Sequence, residues 1–134
     1  MTPQMPLVAY VDPSALIPEV LGEELFQSST RRRLSAFPHL MSSDFLEAEL
    51  RVAFKREQED FDTSSVSSIA WIFPNRRMDA EMARVLEISE LSPARVWHLA
   101  TALFFAEVLQ SEMAFITLDE QQETVARELG FPIP

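Results

Sequence analysis

Short continuous apolar runs alternate along the chain with longer stretches in which apolar residues recur at helical spacing. "LVAYVD" (7–12) is the first such run, and it ends in a carboxylate. An unbroken apolar run of this length is typical of a strand covered on both faces, as in a parallel sheet. Residues 13–18 then turn into helix, and 22–35 continue as helix. "HLMSS" (39–43) predicts a second strand and "DFLEAELRVAFKREQED" (44–60) a helix. In 61–77 the pattern is ambiguous: a polar Ser/Thr stretch, an apolar "IAWIF" with strand character, then a Pro-Asn turn. Residues 78–89 and 93–110 are helical by period, the second being the most apolar helix of the chain. "MAFITLD" (113–119) predicts a strand that ends in a carboxylate like the first. Residues 120–129 predict a helix stopped by Gly130, and "FPI" (131–133) has the character of a short last strand. Strands alternating with helices give the α/β class with a mostly parallel sheet.

Length and composition narrow this picture. The 134 residues carry no internal repeat, low-complexity segment or linker, so a single domain over 1–134 is expected. Apolar residues make up 47%, enough for a core, and no run of about 18 of them suggests a membrane span. The N-terminus has neither the basic patch nor the apolar core of a signal peptide, so a cytoplasmic protein with no membrane partner is expected. There is no cysteine, hence no disulfide and no thiolate metal site. With only two glycines, the chain has no phosphate-cradling loop of the Walker or dinucleotide type. The net charge of −10 excludes a broad basic surface for coating nucleic acid. It leaves room for a metal-dependent nuclease, whose clustered carboxylates are themselves negative.

Three acids stand out. Asp12 and Asp119 each sit where an apolar strand gives way to a helix, which in doubly wound sheets is the ligand-binding edge. Both also suit helix caps: Asp119 with Gln122 makes a capping-box pattern, and Asp12 precedes Pro13. Glu49 has helical neighbours Phe45, Leu46, Val52 and Ala53, which set it in the middle of an apolar stripe, whereas Glu47 faces Ser43, Asp44, Leu50 and Arg51, a mostly polar side. A carboxylate on such a face either bends out to water or serves a site. Three acids converging at one sheet edge suit magnesium or manganese, which take oxygen ligands. In a nuclease such an ion activates water and neutralises phosphate charge.

Other residues favour plainer roles. "RRR" (31–33) closes a helix and reads as a solvated end that suits the helix dipole, with an RNA contact as the alternative. His98 lies on an apolar helix without the spacing of a two-histidine metal site and reads as packing or a buried hydrogen bond. His39 starts a strand and has no partner in sequence. Ser14 has no histidine or lysine base placed to activate it as a nucleophile. Trp71, Phe73, Trp97, Phe104 and Phe105 suit a core or a dimer contact better than a base-stacking platform.

In order along the chain, four segments resemble the motifs of PIN-domain proteins of the VapC-like toxin type. "YVDPSAL" (10–16) is similar to the first, an acid followed two places on by a small hydroxyl, Asp12 and Ser14. "SSDFLEAELRVAF" (42–54) resembles the second, with its acid at Glu49. "RVWHLATAL" (95–103) resembles the third in its His-Leu-Ala tail, and "FITLDEQQETVARELGF" (115–131) the fourth, with its acid at Asp119. The resemblance implies a three-layer α/β/α fold around a parallel sheet. It also implies a magnesium-dependent endoribonuclease, often a homodimer, that cleaves RNA and is held inactive by a small antitoxin protein. Asp12, Glu49 and Asp119 would be the catalytic and metal-binding acids, with Ser14 and Thr117 as supporting hydroxyls. The alternative is a catalytically silent PIN fold that binds RNA or a protein.

The third motif departs from the family. In "SPARVWHLATAL" (92–103), Ser92 can cap and Pro93 suits the first helical position, yet the first turn then carries Arg95. The positive end of a helix dipole favours an anion there. The family, too, has an acid three places before the histidine. Three origins fit: a degenerate domain in which Arg95 takes the ion's place, a weakly active one working through the remaining acids, or an introduced inactivating replacement. In the first, Arg95 is expected to form a bidentate pair with at least one acid. The apolar 93–110 helix predicts a dimer contact.

Overall fold

A computed structural model of the chain describes residues 5–16, 24–61 and 66–134. The expected helix over 17–18 and 22–23 and the polar stretch 62–65 lie outside the described residues. Among the described residues four strands form: β1 (Val8–Val11), β2 (His39–Ser43), β3 (Ile69–Ile72) and β4 (Ala114–Ile116). They make one sheet in the order β3-β2-β1-β4, and every pairing is parallel. A helical turn at 13–16 follows β1. The longer helices are α1 (Glu24–Ser35), α2 (Asp44–Arg56), α3 (Asp79–Ile88), α4 (Pro93–Leu109) and α5 (Glu120–Glu128).

Period-two alternation builds the layers. Ala9 and Val11 of β1, with Ala114 and Ile116 of β4, point to one face and pack with Leu46 and Leu50 of α2. Tyr10 and Phe115, between them in sequence, point to the other and pack with Val85 of α3, Leu99 of α4 and Val125 of α5. Two cores back to back on a sheet buried on both sides make the α/β/α arrangement, and they account for the continuous apolar runs at 7–11 and 113–116. Among the described residues, no helix is long and apolar enough to cross a membrane.

Two expected elements end early and a third does not form, each for a local reason. Helix α2 stops at Arg56 rather than at residue 60, because Gln58 takes a left-handed φ of 57° and turns the chain. Strand β4 stops at Ile116, after which the Thr117 side chain accepts the Asp119 N–H and bends the backbone. Residues 131–133 form no strand: Pro132 O accepts the Phe115 N–H at 3.1 Å, but Pro132 and Pro134 have no N–H with which to continue a ladder. Among the described residues of 61–77, only Ile69–Ile72 is strand, and Phe73 beyond it is exposed.

Candidate functional site

The strand order fixes where a site can form. From β1 the chain steps outward to β2 and β3, then crosses to β4 on the other side of β1. The order therefore reverses between β1 and β4, and in open α/β sheets the crevice beyond the carboxyl ends at that point is where ligands bind. Asp12 follows β1 directly and Asp119 lies three residues beyond β4, so the two flank this crevice.

A hydroxyl network ties the two strand ends together. Asp12 is 6% exposed, and its Oδ2 accepts from the Ser14 N–H at 3.1 Å and from Ser14 Oγ at 2.7 Å. Ser14 Oγ lies 2.9 Å from Thr117 Oγ1 and accepts the Leu118 N–H at 2.9 Å. Thr117 Oγ1 in turn donates to Gln122 Oε1 at 2.8 Å. Ser14 and Thr117 thus support Asp12 and the β4–α5 turn, and the serine proton is directed at the Asp12 carboxylate rather than at a histidine or lysine.

Glu49 reaches the same crevice from the other side of the sheet. The core line of α2 is Leu46, Leu50 and Phe54, while Phe45 and Val52 are largely exposed. Glu49 is therefore on the flank of the buried stripe and not in its middle, as its neighbours had suggested. Its side chain, 25% exposed, meets His98 of α4, whose Nε2 lies 2.5 Å from Glu49 Oε1. His98 is fully buried and its Nδ1 lies 2.6 Å from the Tyr10 hydroxyl. Burial pushes the Tyr10 phenol above the ordinary tyrosine range, so it remains a donor. Glu47 points away into an exposed i,i+4 pair with Arg51.

Arg95 closes the arrangement. Its Nη2 pairs with Asp119 Oδ2. Asp119 Oδ1 is already engaged, accepting the Gln122 N–H at 2.8 Å as the cap of α5. That leaves one oxygen for the guanidinium, so the expected bidentate pair is a single contact. At the start of α4, Ser92 is the N-cap residue but its hydroxyl makes no capping bond, and the first turn holds no acid. Arg95 thus stays against the helix dipole, compensated by Asp119 across the crevice.

Asp12, Ser14, Glu49, Arg95, His98 and Asp119 line one cleft of about 340 Å³. Of the three cleft acids, the oxygens that accept no hydrogen bond from the described residues are Asp12 Oδ1 and Glu49 Oε2. Those two hard oxygens could ligate a cation, whereas both Asp119 oxygens already accept a hydrogen bond. Among the described residues no three His, Cys, Asp or Glu side chains gather closely enough to hold an ion. No family model matches the chain, and no curated protein matches it.

Sequence reasoning missed three participants. His98 was readable as buried and hydrogen-bonded, but its partner Glu49, 49 positions away, was not. Tyr10 looked like strand core, and its hydroxyl was the only hint of more. Arg33 looked like a solvated helix end; its Nη1 donates to Thr117 O at 3.3 Å, below the site. His39 starts β2 as expected and is exposed, away from the cleft residues.

Proposed function

We propose that the chain is a PIN-like, magnesium- or manganese-dependent endoribonuclease, the toxin of a toxin–antitoxin pair, whose activity Arg95 restrains. The observation that carries this reading is that Asp12, Glu49 and Asp119, from three separated sequence motifs, line one cleft at the switch point of an all-parallel sheet. The donor chemistry is compatible with a weakly held ion. Magnesium is commonly bound through one or two carboxylates with the rest of its shell made by water and phosphate, and Asp12 Oδ1 and Glu49 Oε2 are two such donors. When bound, a divalent ion would supply an activated water and neutralise charge on a phosphodiester.

The chain's own residues divide the remaining work. Ser14 holds Asp12 by hydrogen bonds, Thr117 braces Ser14 and Gln122 beside it, His98 holds Glu49, and Arg95 offsets negative charge while occupying Asp119. RNA is the substrate in this reading, a small antitoxin protein the regulator, and the cytoplasm the setting. A homodimer is supported by Leu86 of α3 and by Val108 and Leu109 of α4, which leave apolar side chains in solvent.

A second reading, a catalytically silent PIN fold that binds RNA or a protein, is favoured by one specific observation: the guanidinium of Arg95 sits on Asp119, where a third ligand would be free. Calorimetric titration with manganese and magnesium, alongside cleavage of a mixed RNA pool, separates the two. The nuclease reading expects weak binding and slow cleavage by the chain, and a gain of both in Arg95→Asp. If neither form binds metal or cuts RNA, the silent module is the better description.

A further inference from the structure

We infer that Tyr10 and His98 form a buried relay that aims the Glu49 carboxylate, committing one of its oxygens and leaving the other to face the cleft. The three groups come from β1, α4 and α2, so they join both faces of the sheet across its carboxyl edge. The contacts are short and continuous: Tyr10 Oη to His98 Nδ1 at 2.6 Å, then His98 Nε2 to Glu49 Oε1 at 2.5 Å. Tyr10 and His98 are both completely buried, so water cannot substitute for either partner. The ring is also held mechanically, with Phe45 stacked on it at 5.8 Å and Tyr10 against its edge at 5.7 Å.

The direction of the protons follows from what each group can do. An ionised carboxylate only accepts, so Nε2 must carry the hydrogen directed at Glu49. In the neutral ring Nδ1 then has a lone pair, and the tyrosine hydroxyl donates to it. The tyrosine thereby selects the tautomer and the histidine orients the acid, as outer partners do for ligating groups elsewhere. Tyr10 and His98 are positioning residues: neither touches what the cleft binds except through Glu49. The inference that aiming Glu49 matters for a metal rests on the nuclease reading; the tautomer does not.

Nitrogen-15 correlation spectra of the histidine rings test it in the full chain, with His39→Asn used to assign the two rings. The expected result is a His98 ring protonated at Nε2, its N–H slow to exchange and shifted downfield by the bond to Glu49. Tyr10→Phe should move the Nδ1 resonance and Glu49→Gln the Nε2–H resonance. A ring protonated at Nδ1, alone or together with Nε2, or resonances that neither variant moves, would overturn the relay. Manganese titration of Tyr10→Phe reads the positioning itself: affinity should fall about tenfold, the lower range for loss of an outer partner, with Tm measured in parallel. Equal affinity in the two proteins would overturn the positioning role. A parent chain that binds no manganese would remove the nuclease reading alone, and the ring spectra would still decide the relay.

Discussion

Arg76–Glu81 and Arg95–Asp119 are the same chemistry in opposite settings. Arg76 grips Glu81 with two nitrogens, at 3.1 and 2.9 Å, and its guanidinium lies 4.5 Å from the centre of the Phe104 ring. Glu81 is buried in the first turn of α3, where the helix dipole welcomes an acid. The hydrogen bonds and the dipole there outweigh the cost of burying the acid, and the pair clamps the loop before α3 onto α4. Arg95 makes one contact, sits in a first turn that disfavours it, and borders a cleft lined by three acids. A pair whose local terms conflict is better explained by what its neighbourhood does than by stability. The first pair is part of the scaffold, and the second is part of the site.

The strongest way to break this contrast is Arg95→Asp. Removing the cation frees Asp119 Oδ2, adds a carboxylate, and puts an acid where the α4 dipole prefers one. Divalent-ion affinity should rise by about tenfold or more, the scale on which changes around a metal shell act. Calorimetry reads it directly, and unchanged affinity would mean that Arg95 does not compete with a ligand.

Stability should sort the two arginines the other way. Arg76→Ala leaves Glu81 buried without its partner and uncovers the Phe104 ring, so Tm should fall clearly. Arg95→Ala loses a partly exposed pair worth about 0–1 kcal/mol and relieves a dipole conflict of about 0.3–1 kcal/mol. The terms nearly cancel, so thermal unfolding should leave that variant within about 1 kcal/mol of the parent. A larger loss for Arg95→Ala than for Arg76→Ala would erase the distinction.

Acid titration sharpens it further. The hydrogen bonds from Arg76 hold the Glu81 carboxyl below the ordinary glutamate range. A group with a lowered folded pKa contributes stability that is complete above its unfolded value, about 4.3 for glutamate, and is lost as pH falls through the folded value. The parent should therefore lose stability below that range, and Glu81→Gln should lose less over the same interval. Denaturant midpoints measured from neutral to acid pH compare the two slopes.

How much of this the sequence carried depends on how local each signal is. The β1 run 7–12 was legible because a strand buried on two faces needs apolar residues whatever its neighbours are. The acids Asp12 and Asp119 were legible as strand-to-helix residues, where a carboxylate either caps the helix or serves a site, and Asp119 does cap α5. The Glu49–His98 contact and the single-point geometry of Arg95 were not. Both depend on how far α2 and α4 lean over the sheet edge, a tertiary quantity with no trace in helical period. The capping box was half legible: Asp119 accepts from the Gln122 N–H as the pattern predicts, but the Gln122 side chain turns to Thr117 instead of reaching back. The short strand β4 was overestimated because its flanks, Met113 and Thr117, are buried for reasons other than pairing.

The smallest expected effect provides the baseline for both pairs. Glu47 and Arg51 form a third arginine–carboxylate pair at 3.3 Å, one turn apart on α2, with both side chains substantially in solvent. Water screens such a pair, and ordering two long side chains costs about what the attraction returns. Arg51 also has a second partner, the Phe61 ring 4.6 Å away, which holds the guanidinium when the acid is gone. Glu47→Gln should therefore change stability by less than about 0.5 kcal/mol and leave manganese affinity unaltered. Glu49→Gln, two residues on, should weaken manganese binding, because it removes the charge of one of the two carboxylates with an oxygen left for the cleft. The two variants differ by the same atoms on the same helix, so overall charge cannot explain a difference between them. If Glu47→Gln weakened manganese binding as much as Glu49→Gln, the net acidity of the chain would be holding the ion, and the cleft would lose its claim to be a site.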